Sequence, residues 1–406
     1  MVQRPIYLSK IEPFIDIPMV KVITGIRRSG KSELLKMIRQ KLLDRGVEER
    51  QIVYVNYESL QWEDYQTYKA LYAYVGERRA QLDGKRLYLF VDEIQEVESW
   101  EKAVNSMFAE WDIDIYITGS NSRLLSSDLS TYLAGRYVEC SIFTLSFAEY
   151  LMFRKANPAS CSQLARYFDD YLRKGGFPAA HANSMDAESI YLMVSDIYSS
   201  VLLRDTVQRF KIRNVEMLNR LVQFLFTNIG NTFSASSISK YLKSQNRNIG
   251  IESVYNYLSA LESSFIIHRI QRYDLRGKEI LQTQEKYYVT DLSLLFVGRG
   301  YRPDLIGGML ENLVCMELMR RGYQVFVGKM GQMEVDFVAK RKDRVIYVQV
   351  CENMDSEDTR KRELAPLCAI KDSYPKFVVV NNPRDTGNIN GIECMFVADF
   401  LTKQEI

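Results

Sequence analysis

The segment from Gly25 to Ser32 constrains the fold of this chain more than any other part of the sequence. It follows the apolar run 20–24 and precedes a segment with the apolar spacing of a helix. Glycines let backbone N–H groups wrap anionic oxygens, and a helix N-terminus directs a partial positive charge at them. Strand, glycine loop and helix in this order predict a phosphate-binding loop. Its residues are Gly25, Ile26, Arg27, Arg28, Ser29, Gly30, Lys31 and Ser32.

Four side chains of this loop have candidate roles. Lys31 is placed to reach the β- and γ-phosphates, and the Ser32 hydroxyl is placed to ligate Mg²⁺. Arg27 and Arg28 lie inside the loop, where we expect one to contact phosphate and the other to anchor a carboxylate, and the pattern does not decide which is which. The loop therefore predicts that the chain binds a nucleoside triphosphate.

Two adjacent acids follow a later buried strand. Residues 87–91 are apolar without alternation, which is typical of a strand buried on both faces, and Asp92 and Glu93 come directly after them. At a strand end, Asp92 is placed to hold Mg²⁺ through its water shell, and Glu93 is the residue type that polarises an attacking water. A solvated turn is the competing interpretation, but the position downstream of the glycine loop favours a catalytic pair.

A polar tip also ends the strand predicted over residues 112–119. Ser120 or Asn121 at this tip could contact the γ-phosphate or the attacking water, and a helix cap is the alternative role. A further strand is predicted over residues 137–142. Alternating strands and helices indicate an α/β fold with a parallel, doubly wound sheet.

The composition limits the class of protein. A chain of 406 residues is expected to hold two or three domains. Lys and Arg total 53 against 51 Asp and Glu, so any nucleic-acid contact has to come from a local patch. The 6 cysteines show no CxxC spacing and predict reduced thiols without zinc. Because no apolar run is long enough for a membrane span, we expect a cytoplasmic protein without membrane contact.

These motifs resemble the AAA-type ATPase module of a widespread prokaryotic protein family. The resemblance rests on the double arginine of the glycine loop and on three further segments, which are 92–95 with Trp100 downstream, 118–120 and 133–136. In that family the module is joined to a conserved domain of unknown function and often to a nuclease-like tail. The resemblance implies ATP and Mg²⁺ as ligands and ATPase activity. It also implies an AAA-like sheet with one strand inserted between the loop strand and the Asp-Glu strand.

An arginine from a neighbouring subunit often neutralises transition-state charge in related ATPases. The candidates here are Arg136 and Arg123. A salt bridge on the module's own surface is the alternative for each. An arginine supplied in this way would imply a homo-oligomer.

The middle of the chain predicts a winged helix-turn-helix. Its pattern is three helices, over 215–226, 233–242 and 251–261, followed by two strands, over 265–273 and 279–289.

Ahead of this region in the chain, the turn from Gly175 to Pro178 is a hinge, a rigid elbow or a plain connection. The predicted domains are an ATPase domain at 1–165, a helical connector at 166–213, a winged helix at 214–298 and a restriction-endonuclease-like domain at 305–406.

The sequence leaves open whether the winged helix contacts double-stranded DNA or a protein partner. Basic residues of the predicted hairpin favour DNA, and they are Arg269, Arg272, Arg276 and Lys278. However, the third helix carries no Lys or Arg on its central turns and is flanked by Glu252 and Glu262.

The C-terminal region resembles a restriction-endonuclease core with a damaged centre. In that core two acids and a Glu-x-Lys motif hold Mg²⁺ and activate water. Glu311 and Asp336 fit the first two places, but the third place reads Gln349-Val350-Cys351. A neutral amide is a poorer Mg²⁺ ligand than a carboxylate, and a thiol does not replace lysine. We therefore expect a fold retained for binding or docking, in which the two acids pair with nearby basic groups.

Together, these patterns predict a Mg²⁺-dependent ATPase whose nucleotide state moves a winged helix and a nuclease-like tail that contact DNA or a protein partner. One alternative is a slow-turnover, ATP-dependent regulatory switch or scaffold without DNA contact. Another is an ATP-gated DNA nuclease, since two acids can still hold a metal weakly and Glu334 or Glu352 could substitute for the missing one.

Overall fold

The computed structural model describes residues 3–122, 133, 135–182, 185–245, 247, 249–298 and 300–406. The chain divides into two compact units. The first consists of residues 1–142 with 263–265, and the second consists of residues 143–262 with 266–406. None of the helices in the described part of the chain has the length and apolar character needed to cross a membrane.

The first unit is built on a parallel sheet of five strands. They are β1 (Val20–Thr24), β2 (Ile52–Asn56), β3 (Leu87–Asp92), β4 (Ile113–Gly119) and β5 (Tyr137–Ser141). Their order across the sheet is β2-β3-β4-β1-β5. β4 therefore lies between the strand that precedes the glycine loop and the strand that ends in Asp92. This confirms the predicted parallel α/β fold and the inserted strand that the resemblance implied.

Helices cover both faces of this sheet. The α-helices are α1 (Pro5–Ile11), α2 (Lys31–Asp44), α3 (Tyr68–Ala80) and α4 (Trp100–Glu110), and short 3₁₀ turns occupy Glu12–Phe14, Glu49–Gln51, Leu60–Tyr65 and Ile94–Glu96. On one face, Leu34 and Ile38 of α2 pack into one apolar cluster, and on the other, Val104 and Met107 of α4 pack into a second. Every residue of β1 is buried, as expected for a strand covered on both sides.

A buried ion pair joins β1 to β4 inside this unit. The side chains of Lys21 and Asp114 are only 1% and 2% exposed and are in direct contact. Asp114 also accepts hydrogen bonds from the Tyr116 hydroxyl at 2.8 Å and from the Asp16 backbone N–H at 3.0 Å. Burial lowers the pKa of Lys21, although the charge of Asp114 opposes this effect. The pair is stable only while both partners are present, because neither charge reaches water.

Replacing Lys21 with Met should lower the free energy of unfolding by about 3–5 kcal/mol, since Asp114 would keep a buried charge without its cation. Lys36→Met is the matched control, because Lys36 forms an exposed pair with Glu33 and should leave stability almost unchanged. Urea titration followed by circular dichroism measures both. Equal stability of the two variants would contradict the structural role of the pair.

The second unit begins with helices. They are α5 (Phe147–Phe153), α6 (Cys161–Lys174), α7 (Pro178–Ala182) and α8 (Ala187–Ser200), and a π-helical segment follows at Val201–Gln208. The turn between α6 and α7 is fastened from a distance, because the Gly176 N–H donates to Asp291 Oδ2 at 2.8 Å. Gly175 has φ +70°, and a Cβ there would lie 2.1 Å from Asp291 Oδ1. The contact holds the turn in place within the second unit, and its role as a hinge, a rigid elbow or a plain connection stays a prediction.

Three helices and a hairpin follow the π-helical segment. They are α9 (Val215–Thr227), α10 (Ala235–Ser244), α11 (Ile251–Ser263), β7 (Ile267–Asp274) and β8 (Glu279–Val289), with the short strand β6 (Thr232–Phe233) between α9 and α10. β8 pairs antiparallel with both β6 and β7. The three helices and two long strands lie where the sequence predicts them, whereas β6 was not predicted.

The C-terminal part adds helices and strands to the same hairpin. They are α12 (Ile306–Arg320), β9 (Gln324–Met330), β10 (Met333–Arg341), β11 (Arg344–Cys351), α13 (Glu357–Ala369), β12 (Lys376–Val380), β13 (Gly387–Ile389), β14 (Ile392–Phe396) and α14 (Val397–Thr402), with 3₁₀ turns at Leu292–Phe296, Pro303–Leu305 and Pro383–Asp385. One sheet of nine strands runs β13-β14-β12-β11-β10-β9-β7-β8-β6. β7 pairs parallel with β9, with Arg272 opposite Val327. The predicted winged helix and the predicted nuclease-like domain thus share a continuous sheet, while their boundaries stay a prediction.

Candidate active site

The glycine loop connects the end of β1 to the start of α2. Gly30 caps α2 with φ +101°, and Gly25 has φ +148°. A Cβ on Gly25 would lie 2.2 Å from the carbonyl oxygen of Ile142, so no other residue fits without a shift of the backbone. The first turn of α2 has backbone N–H groups without helical partners, and these are available to an anion held by the loop.

Lys31 lies beneath the loop and makes contacts with the tip of β4 and the end of β3. Its Nζ donates to Ser120 Oγ at 2.9 Å and to the carbonyl oxygens of Gly25 at 3.1 Å and Ile26 at 3.3 Å. The Nζ is also 3.5 Å from Glu93 Oε1. The predicted phosphate-binding lysine and the predicted catalytic acid therefore share one site.

Asp92 is held by side chains from both neighbouring strands. Its Oδ1 accepts a hydrogen bond from Thr118 Oγ1 at 2.5 Å, and its Oδ2 accepts one from the Tyr54 hydroxyl at 3.2 Å. The Thr118 Oγ1 also accepts the Glu93 N–H at 2.9 Å. One hydroxyl on β4 therefore positions both acids at the end of β3.

Glu93 has a left-handed backbone with φ +57°, a conformation that costs an L-residue about 1–3 kcal/mol. Its carboxylate is buried and accepts hydrogen bonds from Ser120 Oγ at 2.8 Å and from the Gln95 side-chain amide. Burial raises the pKa of Glu93, but the Lys31 charge and the hydrogen bonds from Gln95 and Ser120 outweigh it and hold the pKa below its usual value. The carboxylate is therefore ionised at neutral pH and can accept a proton.

The two arginines of the loop have different environments. Arg27 Nη2 is 2.9 Å from Glu58 Oε1, so Arg27 is the one that anchors a carboxylate. Arg28 is exposed and has φ +67°. Ser29 is buried, and its carbonyl oxygen accepts a hydrogen bond from Arg4 Nη1 at 2.8 Å.

The other residues predicted to belong to the nucleotide site differ in their distance from the glycine loop. Ser32 lies on the first turn of α2, and Asn121 is buried directly after Ser120. Arg136 is exposed and precedes β5, and its carbonyl oxygen accepts the N–H of Val20 at the start of β1. The glycine loop follows the carboxyl end of β1, whereas Arg136 lies beside its amino end. Arg136 is therefore at the opposite end of the strands from the loop of its own chain. Its role in a neighbouring subunit's site stays a prediction, and Arg123 lies outside the described residues.

The residues present fit a magnesium ion that is held together with a nucleotide. In the described part of the chain, no three His, Cys, Asp or Glu side chains are grouped so that they could hold a metal. Mg²⁺ commonly binds one or two protein oxygens together with phosphates and waters. Ser32 and Asp92 supply donors of this kind, since each carboxylate oxygen of Asp92 accepts one hydrogen bond and keeps a free lone pair.

The sequence assigned no contact to four residues of the site, which are Arg4, Tyr54, Gln95 and Thr118. Gln95 and Thr118 lie in segments that carry the family resemblance, but only the strand order places Thr118 beside Asp92. Arg4 carries no local signal for its contact with the loop.

The predicted nuclease centre and the predicted wing have partners inside the chain. Lys286 contacts both Glu311 and Asp336, which confirms the expectation that these acids pair with a basic group. Arg269 pairs with Glu262 and Glu285, and the buried Arg272 donates to the Gln284 side chain. Of the four basic candidates only Arg272 is buried, and Arg276 and Lys278 are exposed at the tip of the hairpin, whereas the exposed Arg269 is held by its two acids.

Replacing Gly25 with Ala should abolish binding of anionic phosphate ligands, because the new Cβ would collide with the Ile142 carbonyl and displace the loop. Gly46→Ala is the matched control. Gly46 also has a positive φ, of +89°, but a Cβ there meets nothing within 4 Å. Titration with a fluorescent adenine nucleotide compares the two, and equal affinities would show that the close approach is not needed.

Comparisons with known proteins support the AAA-like fold of the first unit and assign no activity to the second. Residues 18–151 match the family model of an AAA domain, and residues 165–302 match a domain of unknown function, DUF8612. The chain is 36% identical over 406 residues to an uncharacterized protein of Haemophilus influenzae, covering 99% of this chain and 98% of that protein. It is 31% identical over 397 residues to the uncharacterized protein MJ1544 of Methanocaldococcus jannaschii, covering 94% and 85%.

A structure of Drosophila ORC bound to AT-rich DNA and Cdc6 also aligns, at 12% identity over 71% of this chain and 88% of that one. The TM-score of this alignment is 0.25.

Proposed function

This chain belongs to the family of AAA-domain proteins that includes the Haemophilus influenzae relative, and we propose that it binds ATP with Mg²⁺ and hydrolyses it. The observation that supports this proposal is the convergence of Lys31 and Glu93 on Ser120, directly behind the glycine loop. A loop that bound phosphate for structural reasons alone would not need an ionised, buried carboxylate at this position.

Each residue of the site has a distinct part in the proposed reaction. The loop N–H groups and Lys31 bind the phosphates, and Lys31 exchanges its contacts with the loop carbonyls for phosphate oxygens. Ser32 and Asp92 would hold the metal, which supplies positive charge to the phosphate oxygens. Glu93 orients the attacking water and accepts its proton. Ser120 positions Glu93 and Lys31 relative to each other, because its hydroxyl is hydrogen-bonded to both side chains.

Glu93→Gln should lower kcat for ATP hydrolysis by about 10²–10³-fold, because the amide cannot accept the proton from water. The affinity for ATP should stay within about threefold of the parent, since the loop is unchanged. Glu98→Gln, at an exposed position in the same segment, is the control. If the parent hydrolyses ATP no faster than Glu93→Gln, the protein is a slow-turnover, ATP-dependent switch and not an efficient ATPase.

Thr118→Val should lower kcat by about 10–100-fold with little change in KM, because the hydroxyl that positions Asp92 and Glu93 is lost while the loop is retained. Thr118→Ser restores the hydroxyl and should recover most of the activity. Steady-state ATPase assays compare the three proteins. A Ser variant as slow as the Val variant would assign the effect to packing.

For the second unit we propose a winged helix joined to a restriction-endonuclease-like fold, which together engage a protein partner. The order of α9, β6, α10, α11, β7 and β8 supports the winged helix, and the order of α12, β9, β10, β11, α13 and β12 supports the nuclease-like fold. Protein contact is favoured over duplex DNA because Arg269 and Arg272 are paired within the chain. The exposed side of α11 also carries Ile251, Tyr255 and Glu252 without a basic residue.

Reversing both exposed charges of the hairpin, Arg276→Glu with Lys278→Glu, should leave any affinity for duplex DNA unchanged, because we expect no specific contact there. Fluorescence anisotropy with a short duplex at several salt concentrations tests this. Weaker binding with a flatter salt dependence in the double variant would instead indicate phosphate contacts by these residues.

A further inference from the structure

A lysine ammonium lies at the centre of the acids in the nuclease-like part of the second unit. Lys286, on β8, is 4% exposed. Its Nζ lies 3.0 Å from Glu311 Oε2 on α12, 3.2 Å from Asp336 Oδ1 and 3.4 Å from Glu334 Oε1, the last two on β10. The Tyr288 hydroxyl donates to the same oxygen of Glu311 at 2.8 Å. Acids from two elements therefore converge on one cation from a third.

The lysine ammonium occupies the position between these acids. Its Nζ is hydrogen-bonded to Glu311 and Asp336 and lies within ion-pair distance of Glu334, at 3.0–3.4 Å from the three oxygens. Magnesium requires its oxygen ligands at about 2.1 Å in a near-octahedral arrangement. A metal bound to Glu311 and Asp336 would also stand within about 4 Å of the ammonium, where like charges repel strongly.

The other two positions of the expected metal centre do not supply ligands either. The Gln349 amide is used between protein groups, since its Oε1 accepts the Asp336 N–H at 3.2 Å and its Nε2 donates to Glu363 at 3.0 Å. Burial raises the pKa of the Cys351 thiol to about 12, and its Sγ contacts the Asn353 carbonyl at 2.8 Å. The residues present therefore do not fit the Mg²⁺ that a nuclease of this fold would need.

We propose that Lys286 is the built-in cation of this centre, which takes the place of a divalent metal between Glu311 and Asp336 and ties β8 to α12 and β10. The centre then serves structure and not nucleic-acid cleavage. Its effect is to join the hairpin of the three-helix segment to the C-terminal core as one unit. This proposal is independent of the ATPase proposed for the first unit.

The test removes the lysine and asks whether a metal takes its place. All proteins carry Asp92→Asn, which silences the candidate metal site of the first unit, and they are studied without nucleotide. Electron paramagnetic resonance of free Mn²⁺ then reports binding to the rest of the chain. While Lys286 is present we expect no saturable binding of Mn²⁺. Lys286→Ala should bind one Mn²⁺, and this binding should be lost again when Asp336→Asn is added. Lys278→Ala, an exposed lysine of the same hairpin, should bind none.

The melting temperature of each variant provides an independent test of the role of Lys286. Lys286→Ala should melt about 10 °C lower than its parent, because it leaves buried carboxylates without their cation, and Mn²⁺ should recover part of the loss. If Lys286→Ala does not fold, the neutral variant Lys286→Met/Glu311→Gln/Asp336→Asn should still fold and melt above Lys286→Met.

Two results would overturn the proposal. The first is Mn²⁺ binding that requires Asp336 while Lys286 is present, which would make the lysine a neighbour of a working metal site. The second is a neutral triple variant no more stable than Lys286→Met, which would show that charge balance is not the role of Lys286.

Discussion

The meeting of Lys31, Ser120 and Glu93 is the interaction on which the first unit depends. Each residue comes from the carboxyl end of a different strand or from the loop that follows it. They meet because β4 lies between β1 and β3, so that all three strand ends reach the same edge of a parallel sheet. A glycine loop alone binds an anion, whereas this strand order adds a buried acid beside it. The proposed hydrolysis depends on this acid as well as on the loop.

Buried lysines recur at the structurally important points of both units. Lys21 pairs with Asp114 within the sheet, Lys31 lies next to Glu93, and Lys286 lies among the acids of the second unit. A buried charge without a partner is costly, so each of these lysines forces its acid into a defined place. The pairs differ in what can replace the lysine contact. In the proposed ATPase a phosphate takes over the contacts of Lys31, whereas the contacts described for Lys21 and Lys286 are all to protein groups. In that proposal the first pair serves function and the other two serve structure.

The continuous sheet of the second unit changes the interpretation of the hairpin. A free wing can enter a groove of DNA, but β7 is hydrogen-bonded to β9 and β8 carries Lys286 into the C-terminal core. The hairpin is thus hydrogen-bonded to the C-terminal strands through β7 and ion-paired with them through Lys286 on β8. In the proposal for the second unit, a partner would meet the three-helix segment and the C-terminal strands as parts of one sheet.

The sequence by itself determined the phosphate loop, the acid pair, the parallel sheet and nearly every long element, because each depends on a local pattern of glycines, strand ends or apolar spacing. Only the tertiary structure decided which side chain of each neighbouring pair contacts a given acid. Ser120 donates to Glu93, and Arg27 pairs with Glu58. Thr118 and Lys286 gained their roles in the same way. Their partners come from segments far away in the chain, and the pairing of strands, which no local pattern records, is what brings them within hydrogen-bond distance.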